Sequence, residues 1–354
     1  MESHSFSAIS LFSGAGGMDT GFESAGIRVV FANELRKEAA ETYRENHHSA
    51  NLAVCDIADA LDGLSNYRGI DVAFGGPPCQ GFSVAGKMNP DDDRSALIFT
   101  FLEAVERTRP KAFVMENVKA LGTLKRWQSV RRDYLERAWK AGYDCVPFLL
   151  NATEYGVSQK RERVFFIGVR THDGPQFEKR VRALLEAQKR KAPVIRSLLH
   201  SLGKAGTPQN PHTCRAKITF AAKPIMRKSP YAGMYFNGQG RPINADGYAN
   251  TLPASMGGNK TPFLDEEYLY GNAPSDWVAE YHRQLLSGGA VPAFREAPER
   301  LRRITIREAA RIQTFPENYV FCGNHSAVYE QIGNAVPCKM AEAVAGAVTE
   351  YLRL

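Results

Sequence analysis

Six short apolar runs, near residues 8 to 12, 28 to 32, 70 to 74, 111 to 115, 145 to 149 and 163 to 169, alternate with helix-patterned segments. Few folds accept that rhythm. Parallel strands buried on both faces need a crossover helix between neighbours, so the pattern predicts a doubly wound α/β core around a mostly parallel sheet. The 354 residues, 44% hydrophobic, suffice for a full core and for two domains. From about residue 196 to 300 the rhythm is lost. Gly, Pro and Asn are dense there, as in Ser229-Pro230-Tyr231-Ala232-Gly233 and Ser255-Met256-Gly257-Gly258-Asn259-Lys260, which predicts short strands and ordered loops. Helical patterns at 305 to 315 and 340 to 351 follow. The expected division is one domain from residues 1–195 plus 325–354 and a smaller, irregular, strand-containing one from 196–324.

The first run, Ile9-Ser10-Leu11-Phe12, leads into Gly14-Ala15-Gly16-Gly17 and then a helical segment at 18 to 25, the opening βα unit of such a sheet. The second run ends at Asn33-Glu34. An acid about 20 residues after a glycine turn is where these folds grip a ribose diol, and Glu34 is that residue. A nicotinamide dehydrogenase has the same spacing, but Asp19 stands where the dinucleotide fingerprint wants its third glycine. A ligand without a pyrophosphate fits better.

The third run ends in Gly75-Gly76-Pro77-Pro78-Cys79-Gln80-Gly81-Phe82-Ser83. Glycine admits close backbone approach and proline fixes φ, so Cys79 is presented at a sheet edge instead of filling the core. The fourth run ends in Met115-Glu116-Asn117-Val118, which sends Glu116 to the same edge. Gln159-Lys160-Arg161-Glu162-Arg163 runs into the last strand, and Gln331-Ile332-Gly333-Asn334-Ala335-Val336-Pro337 lies near the end. Taken singly, each has a plainer reading: a structural cysteine, a helix-capping glutamate, solvated arginines. Together they describe a nucleophile with an acid and cations nearby.

These five segments, in this order, resemble the bacterial DNA cytosine-5 methyltransferases, which methylate carbon 5 of cytosine using S-adenosyl-L-methionine. The resemblance covers nearly the whole chain apart from about 196 to 300. It implies a class I S-adenosylmethionine-dependent methyltransferase fold, Rossmann-like, with a target-recognition domain. The chemistry asks for the same residues. Carbon 5 is too weak a nucleophile to attack a sulfonium until a thiolate has added at C6, and the charge that then develops is stabilised by an acid at N3. The resemblance assigns the thiolate to Cys79 and the N3 contact to Glu116, a carboxyl expected to carry a proton in a partly desolvated site. It brings Arg161 and Arg163 into the pocket, Arg163 at the cytosine O2 and on the thiolate side. For the cofactor it implies Phe12 and Leu35 on the adenine, Gly14, Gly16 and Gly17 at the methionine portion, and Glu34 on the ribose. Asp56, followed by Ile57, is implied at the adenine amino group. Pro78 and Leu97 line the site, and Asn334 and Val336 close it; Leu35 stands where many relatives place tryptophan. No metal is implied, and the product is S-adenosyl-L-homocysteine.

The formal charge is +7, and between Arg196 and Leu264 nine Lys or Arg face one acid, Asp246, a phosphate-facing composition. Double-stranded DNA is the expected partner. A cytosine within the stack is out of reach, so the base must be flipped out. The segment 82 to 94 suits a loop closing over DNA, and Gln80, Ser83 and Lys87 are expected DNA contacts. In the second domain Arg227, Lys228, Asn237, Gln239, Arg241, Asn259 and Lys260 are candidates for bases or phosphates, and Thr251, in a Thr-Leu pair like that of relatives, for the flipped nucleotide's backbone. The six cysteines show no metal spacing and fit a reducing compartment. With a polar start and no apolar run near ~20 residues, a bacterial cytoplasmic, nucleoid-associated monomer is expected. A cognate restriction endonuclease acting on the same site, without a stable complex, is the protein partner such a role implies. Two rivals stand: a tRNA cytosine-5 methyltransferase of the same fold, whose Cys-Phe-Thr segment is missing here, and an inactive DNA-binding relative, against which Cys79, Glu116, Arg163 and Glu34 argue.

Overall fold

The computed structural model describes residues 6–78, 96–171, 173–211 and 214–354. The chain begins β1 (Phe6–Leu11), α1 (Gly17–Ser24), β2 (Ile27–Asn33), α2 (Lys37–Asn46), β3 (Asn51–Ala53), α3 (Ile57–Ala60) and β4 (Val72–Gly75). It continues α4 (Leu97–Thr108), β5 (Ala112–Val118), α5 (Lys119–Thr123), α6 (Gln128–Lys140), β6 (Asp144–Asn151), β7 (Gln159–Lys160), β8 (Glu162–Val169) and α7 (Pro175–Ala187). Then come α8 (Ile195–Leu199), β9 (Phe220–Ile225), β10 (Met234–Phe236), β11 (Ala249–Asn250), β12 (Phe263–Asp265), α9 (Glu266–Leu269) and α10 (Trp277–Ser287). The last elements are β13 (Leu301–Arg303), α11 (Ile306–Ile312), α12 (His325–Asn334) and α13 (Cys338–Arg353).

Contacts divide the chain into two compact units, one of Met1–Gly156, Glu162–Lys191 and Val336–Leu354, the other of Val157–Arg161 and Ala192–Ala335. The first unit holds a sheet in the order β3-β2-β1-β4-β5-β8-β6. Pairs among β3, β2, β1, β4 and β5 are parallel, and β8 runs antiparallel to both β5 and β6. On one face α4 buries Ile98, Phe101, Leu102 and Val105, the i, i+3, i+4, i+7 stripe of an amphipathic helix, against Ala73, Phe113 and Met115. Elsewhere in the unit Phe22 of α1 stacks on Phe74 of β4 at 3.9 Å, and α13 packs on α1 and α7. Each apolar run of the sequence is a strand; β3, short and half-buried, had no comparable signal.

The second unit is built from short pairs: β9 with β10 and β12 with β13, both antiparallel, and β11 parallel to β7. Phe220, Tyr235, Phe236, Phe263, Tyr281 and Leu301 form its core. The expected boundary put residues 325–335 with the first domain, but α12 packs on α11, and the Tyr329 hydroxyl donates to Ile304 O at 2.6 Å. Residues 157–161 also leave the first unit, since β7 pairs with β11. Among the described residues no helix is long and apolar enough to cross a membrane, and no cluster of His, Cys, Asp and Glu is arranged to hold a metal.

Candidate active site

The glycine turn is a run of left-handed backbone. Phe12, Gly14 and Gly16 have φ of 55°, 58° and 80°. For a bulky residue such as Phe12 that conformation costs about 1–2 kcal/mol and persists only where neighbouring bonds enforce it. They do: Ser13 donates to Asn33 O from its amide at 2.9 Å and from its hydroxyl at 3.2 Å, tying the turn to the end of β2. Glu34 follows directly and is 8% exposed. Its Oε2 accepts from Gly14 N and its Oε1 from Arg36 N, both at 2.7 Å. Two amides thus fix the carboxylate, and each oxygen keeps a lone pair for a further donor. Around this turn Phe12, Ala53 and Leu97 are partly buried against the core, and Leu35 is 61% exposed. Asp56 caps α3 through Ala58 N at 2.9 Å and is exposed, while Ile57 is buried. Beside Gly14 nothing lies within 4 Å of where a Cβ would stand, so the turn opens on free space.

At the neighbouring strand end Gly75 is required. A Cβ there would lie 2.1 Å from Leu11 O, so β4 passes too close to β1 for any side chain. Pro78 is exposed, and Pro77 O accepts from Asn117 Nδ2 at 3.2 Å, which ties the Pro-Pro turn to β5. Cys79, Gln80, Ser83 and Lys87 lie outside the described residues. β4 and β5 are adjacent and parallel, with Gly75 opposite Met115, so Glu116 does emerge at the edge where β4 ends. A Cβ on Gly76 would be 3.2 Å from Glu116 Oε2. The other oxygen, Oε1, is 2.8 Å from Arg163 Nε, with both side chains mostly buried. The β5–β8 register, Val118 opposite Arg163 and Glu116 opposite Phe165, makes them diagonal neighbours on one face. Glu116 is thus one half of an ion pair with Arg163, the arginine that the resemblance brings to the same pocket.

Arg161, which the resemblance also brings to the pocket, is engaged by backbone carbonyls of the second unit. It is 2% exposed within the second unit, where Nη1 donates to Gly333 O at 3.1 Å and Leu252 O at 3.4 Å, and Nη2 to Asn334 O at 3.4 Å. Because β7 ends at Lys160, the Arg161 amide turns back to Gln159 O at 2.9 Å, and residues 161 and 163 do not alternate along one strand. Gln159, overlooked in the sequence although it opens the same motif, is wholly buried beside it. Its Oε1 accepts from Leu252 N at 2.8 Å and its Nε2 donates to Gln313 Oε1 at 2.7 Å; Gln313 donates in turn to Ile332 O at 2.6 Å. The segment carrying Thr251 and the segment carrying Asn334 therefore join one buried polar knot. The Asn334 side chain is exposed, and Val336 is buried in the first unit.

Several candidates of the second unit, two of them basic, converge. Arg241, Thr251 and Lys260 line a cavity of about 220 Å³ together with Gln239, Asn250 and Ser255. Arg241 is held there by Gly233 O at 2.9 Å, and Thr251 Oγ1 donates to Lys160 O at 2.8 Å. Asn259, next to Lys260 in the chain, is exposed, and its carbonyl accepts from Gly240 N at 3.2 Å. Asn237 is taken up by Phe220 O at 2.6 Å. Arg227 and Lys228 are exposed but do not line the cavity. Asn250 and Ser255 carried no sequence signal, because only the folding of separate loops brings them together.

A model of the C-5 cytosine-specific DNA methylases matches residues 6–350, and the chain belongs to that family. It is a DNA (cytosine-5-)-methyltransferase of the class I methyltransferase fold. The Type II methyltransferase M.NgoPII of Neisseria gonorrhoeae is 32% identical over 354 residues, covering 97% of this chain and 95% of that one. M.FnuDI of Fusobacterium nucleatum is 33% identical with 97% and 94% covered, and M1.HphI of Haemophilus parahaemolyticus 31% identical with 97% and 87% covered. Among solved structures the S. pombe Dnmt2 methyltransferase superposes with a TM-score of 0.65 over 99% of this chain and 100% of that one; at 18% identity this likeness speaks to the fold alone.

Proposed function

We propose that the chain methylates one short DNA site by adding the Cys79 thiolate to C6 of a flipped cytosine, with Glu116 and Arg163 holding the ring. The observation that carries this is the Glu116–Arg163 pair, 2.8 Å apart, at the edge where β4 ends at Gly75, four residues before Cys79. A guanidinium committed through Nε to the carboxyl still has Nη2 for the cytosine O2, among the described residues. Glu116 Oε2, beside Gly76, is the oxygen left for N3. As electrons move onto N3, a proton held between Glu116 and N3 stabilises the charge; once C5 carries the methyl group, water takes the C5 proton, the electrons of that C–H bond re-form C5=C6 and expel the Cys79 thiolate, and the N3 proton returns to Glu116.

The glycine turn fits S-adenosyl-L-methionine. Glu34 is pre-oriented with lone pairs for two ribose hydroxyls, Phe12 and Leu97 offer an apolar rim, the exposed Leu35 can cover it, and the second oxygen of Asp56 is left for an amino group. The space beside Gly14 admits a ligand chain against bare backbone. The cofactor, when bound, supplies an electrophilic methyl group.

The second unit reads the target. Gln239, Arg241, Thr251, Asn259 and Lys260 surround or adjoin a polar, cationic cavity suited to base edges and phosphates, whereas Arg227 and Lys228 supply general attraction. Arg161 positions the Thr251 segment through Leu252 O. The relatives named as Type II methyltransferases favour a role in which methylation shields a short site from a nuclease, with one recognition unit per monomer acting on bacterial nucleoid DNA.

The test is a duplex library carrying 5-fluorocytosine, incubated with the enzyme and S-adenosyl-L-methionine and resolved on denaturing gels. A covalent complex is expected, cofactor-dependent and lost in Cys79→Ala. Tight DNA binding without any complex overturns the reading, and a complex formed on tRNA instead redirects it to RNA.

A further inference from the structure

Beneath the glycine turn lies a cluster of ionisable groups that the reaction above does not use. His47 follows α2 as its C-cap and is buried. Its Nδ1 is 2.8 Å from Glu23 Oε2 on α1, and the ring also hydrogen-bonds the backbone of Gly16, the residue of the turn with φ of 80°. The Tyr43 ring, one turn earlier on α2, stacks on the imidazole at 4.5 Å, and its hydroxyl donates to Asp19 Oδ1 at 2.9 Å. Asp19 is wholly buried, and its second oxygen has no hydrogen-bond partner among the described residues. From α13, Cys338 and Glu342 complete the titratable groups near Asp19.

We propose that His47, held as an imidazolium between the Glu23 carboxylate and the Gly16 carbonyl, is a positioning residue that fixes the cofactor turn. Neither partner can donate a proton, so a ring that serves both does so as the doubly protonated species. The end of a helix and the Asp19 carboxylate favour the same charge. Burial opposes it, yet the Glu23 hydrogen bond and the field of Asp19 raise the ring's pKa above its ordinary value. Loss of the proton surrenders one of the two bonds. Gly16 O keeps its bonds from Thr20 N and Oγ1, both at 2.8 Å, so the fold survives while the turn loosens.

The inference rests on the reading that this turn binds S-adenosyl-L-methionine. Coupling is reciprocal: if the charged ring favours the binding-competent turn, bound ligand must raise the ring's pKa by the same factor. The experiment measures S-adenosyl-L-homocysteine affinity of the full chain between pH 6 and 9, for wild type, His47→Gln and Glu23→Gln. Wild type is expected to weaken about 5- to 10-fold as the ring deprotonates, and His47→Gln to bind weakly throughout with a flat profile. In turnover the variant's KM for the cofactor rises while kcat at saturation stays within about twofold. Should His47→Gln fail to fold, an NMR titration of the wild-type ring decides, and a higher pKa is expected with S-adenosyl-L-homocysteine bound. Parallel pH profiles for wild type and His47→Gln, or a ring pKa indifferent to ligand, overturn the inference alone. Absence of binding by wild type at every pH overturns the cofactor reading and this inference with it.

Discussion

Arg163 Nε and Glu116 Oε1 stand 2.8 Å apart on one face of the β5–β8 pair, both largely withdrawn from solvent. An arginine so placed turns a carboxyl that would otherwise rotate freely into one of fixed direction. Glu116→Gln keeps an acceptor for the guanidinium but has no proton to exchange with N3. Single-turnover methyl transfer should slow by about 10² or more, with cofactor affinity unchanged. A loss below about threefold would remove Glu116 from that role.

Glu34 accepts from Gly14 N and Arg36 N, so Glu34→Ala leaves two amides searching for partners and, under the proposed function, removes the ribose contact. Cofactor affinity should fall by more than about tenfold, roughly 1.4 kcal/mol or more. Calorimetry of S-adenosyl-L-homocysteine binding checks this, with circular dichroism to establish that the variant is folded.

Two glycines should separate folding from binding. A methyl on Gly75 meets Leu11 O at 2.1 Å and must push β4 from β1, so Gly75→Ala should cost about 3 kcal/mol or more in chemical denaturation. Gly14→Ala meets nothing within 4 Å and carries only the penalty of positive φ, about 1 kcal/mol, yet its methyl enters the space assigned to the ligand. Its stability should remain near wild type while cofactor binding collapses.

Burial pushes the Asp19 carboxyl up to about 6 against its His47, Ser10 and Tyr43 partners. A folded-state pKa above the unfolded 3.8 means that stability is complete below pH 4 and is given up as pH rises through 6. The loss is on the order of 3 kcal/mol. Asp19→Asn abolishes the titration, so its unfolding free energy relative to wild type should climb between about pH 4 and 7. Equal pH slopes for the two proteins would refute this.

Arg161→Ala frees the carbonyls of Leu252, Gly333 and Asn334 inside the second unit. Destabilisation by about 3 kcal/mol is expected, together with weaker DNA binding. If stability is retained and only the chemical step is lost, Arg161 belongs in the reaction pocket after all.

What the sequence disclosed, and what it hid, follows from the range of the forces involved. The strands of the first unit announce themselves because burial on both faces demands continuous apolar runs such as Val72-Ala73-Phe74, and Glu34 because its distance from the glycine turn is set by one βα unit. The surroundings of Arg161 are not legible locally, because the two-residue strand before it pairs with Ala249 and Asn250, about ninety residues away. For α12, assignment to the second unit rests on Tyr329 reaching Ile304 and on packing against α11, contacts no local pattern announces. The cavity around Arg241 and Lys260 is likewise a product of loops meeting.

The Asn117 amide that grips Pro77 O has a mechanical corollary. It fastens the Pro-Pro turn that follows β4 onto β5, one residue from Glu116, so that a shift of one strand end is carried to the other. Under the mechanism proposed above, Asn117→Ala severs that link and is expected to slow single-turnover methyl transfer while cofactor affinity stays unchanged.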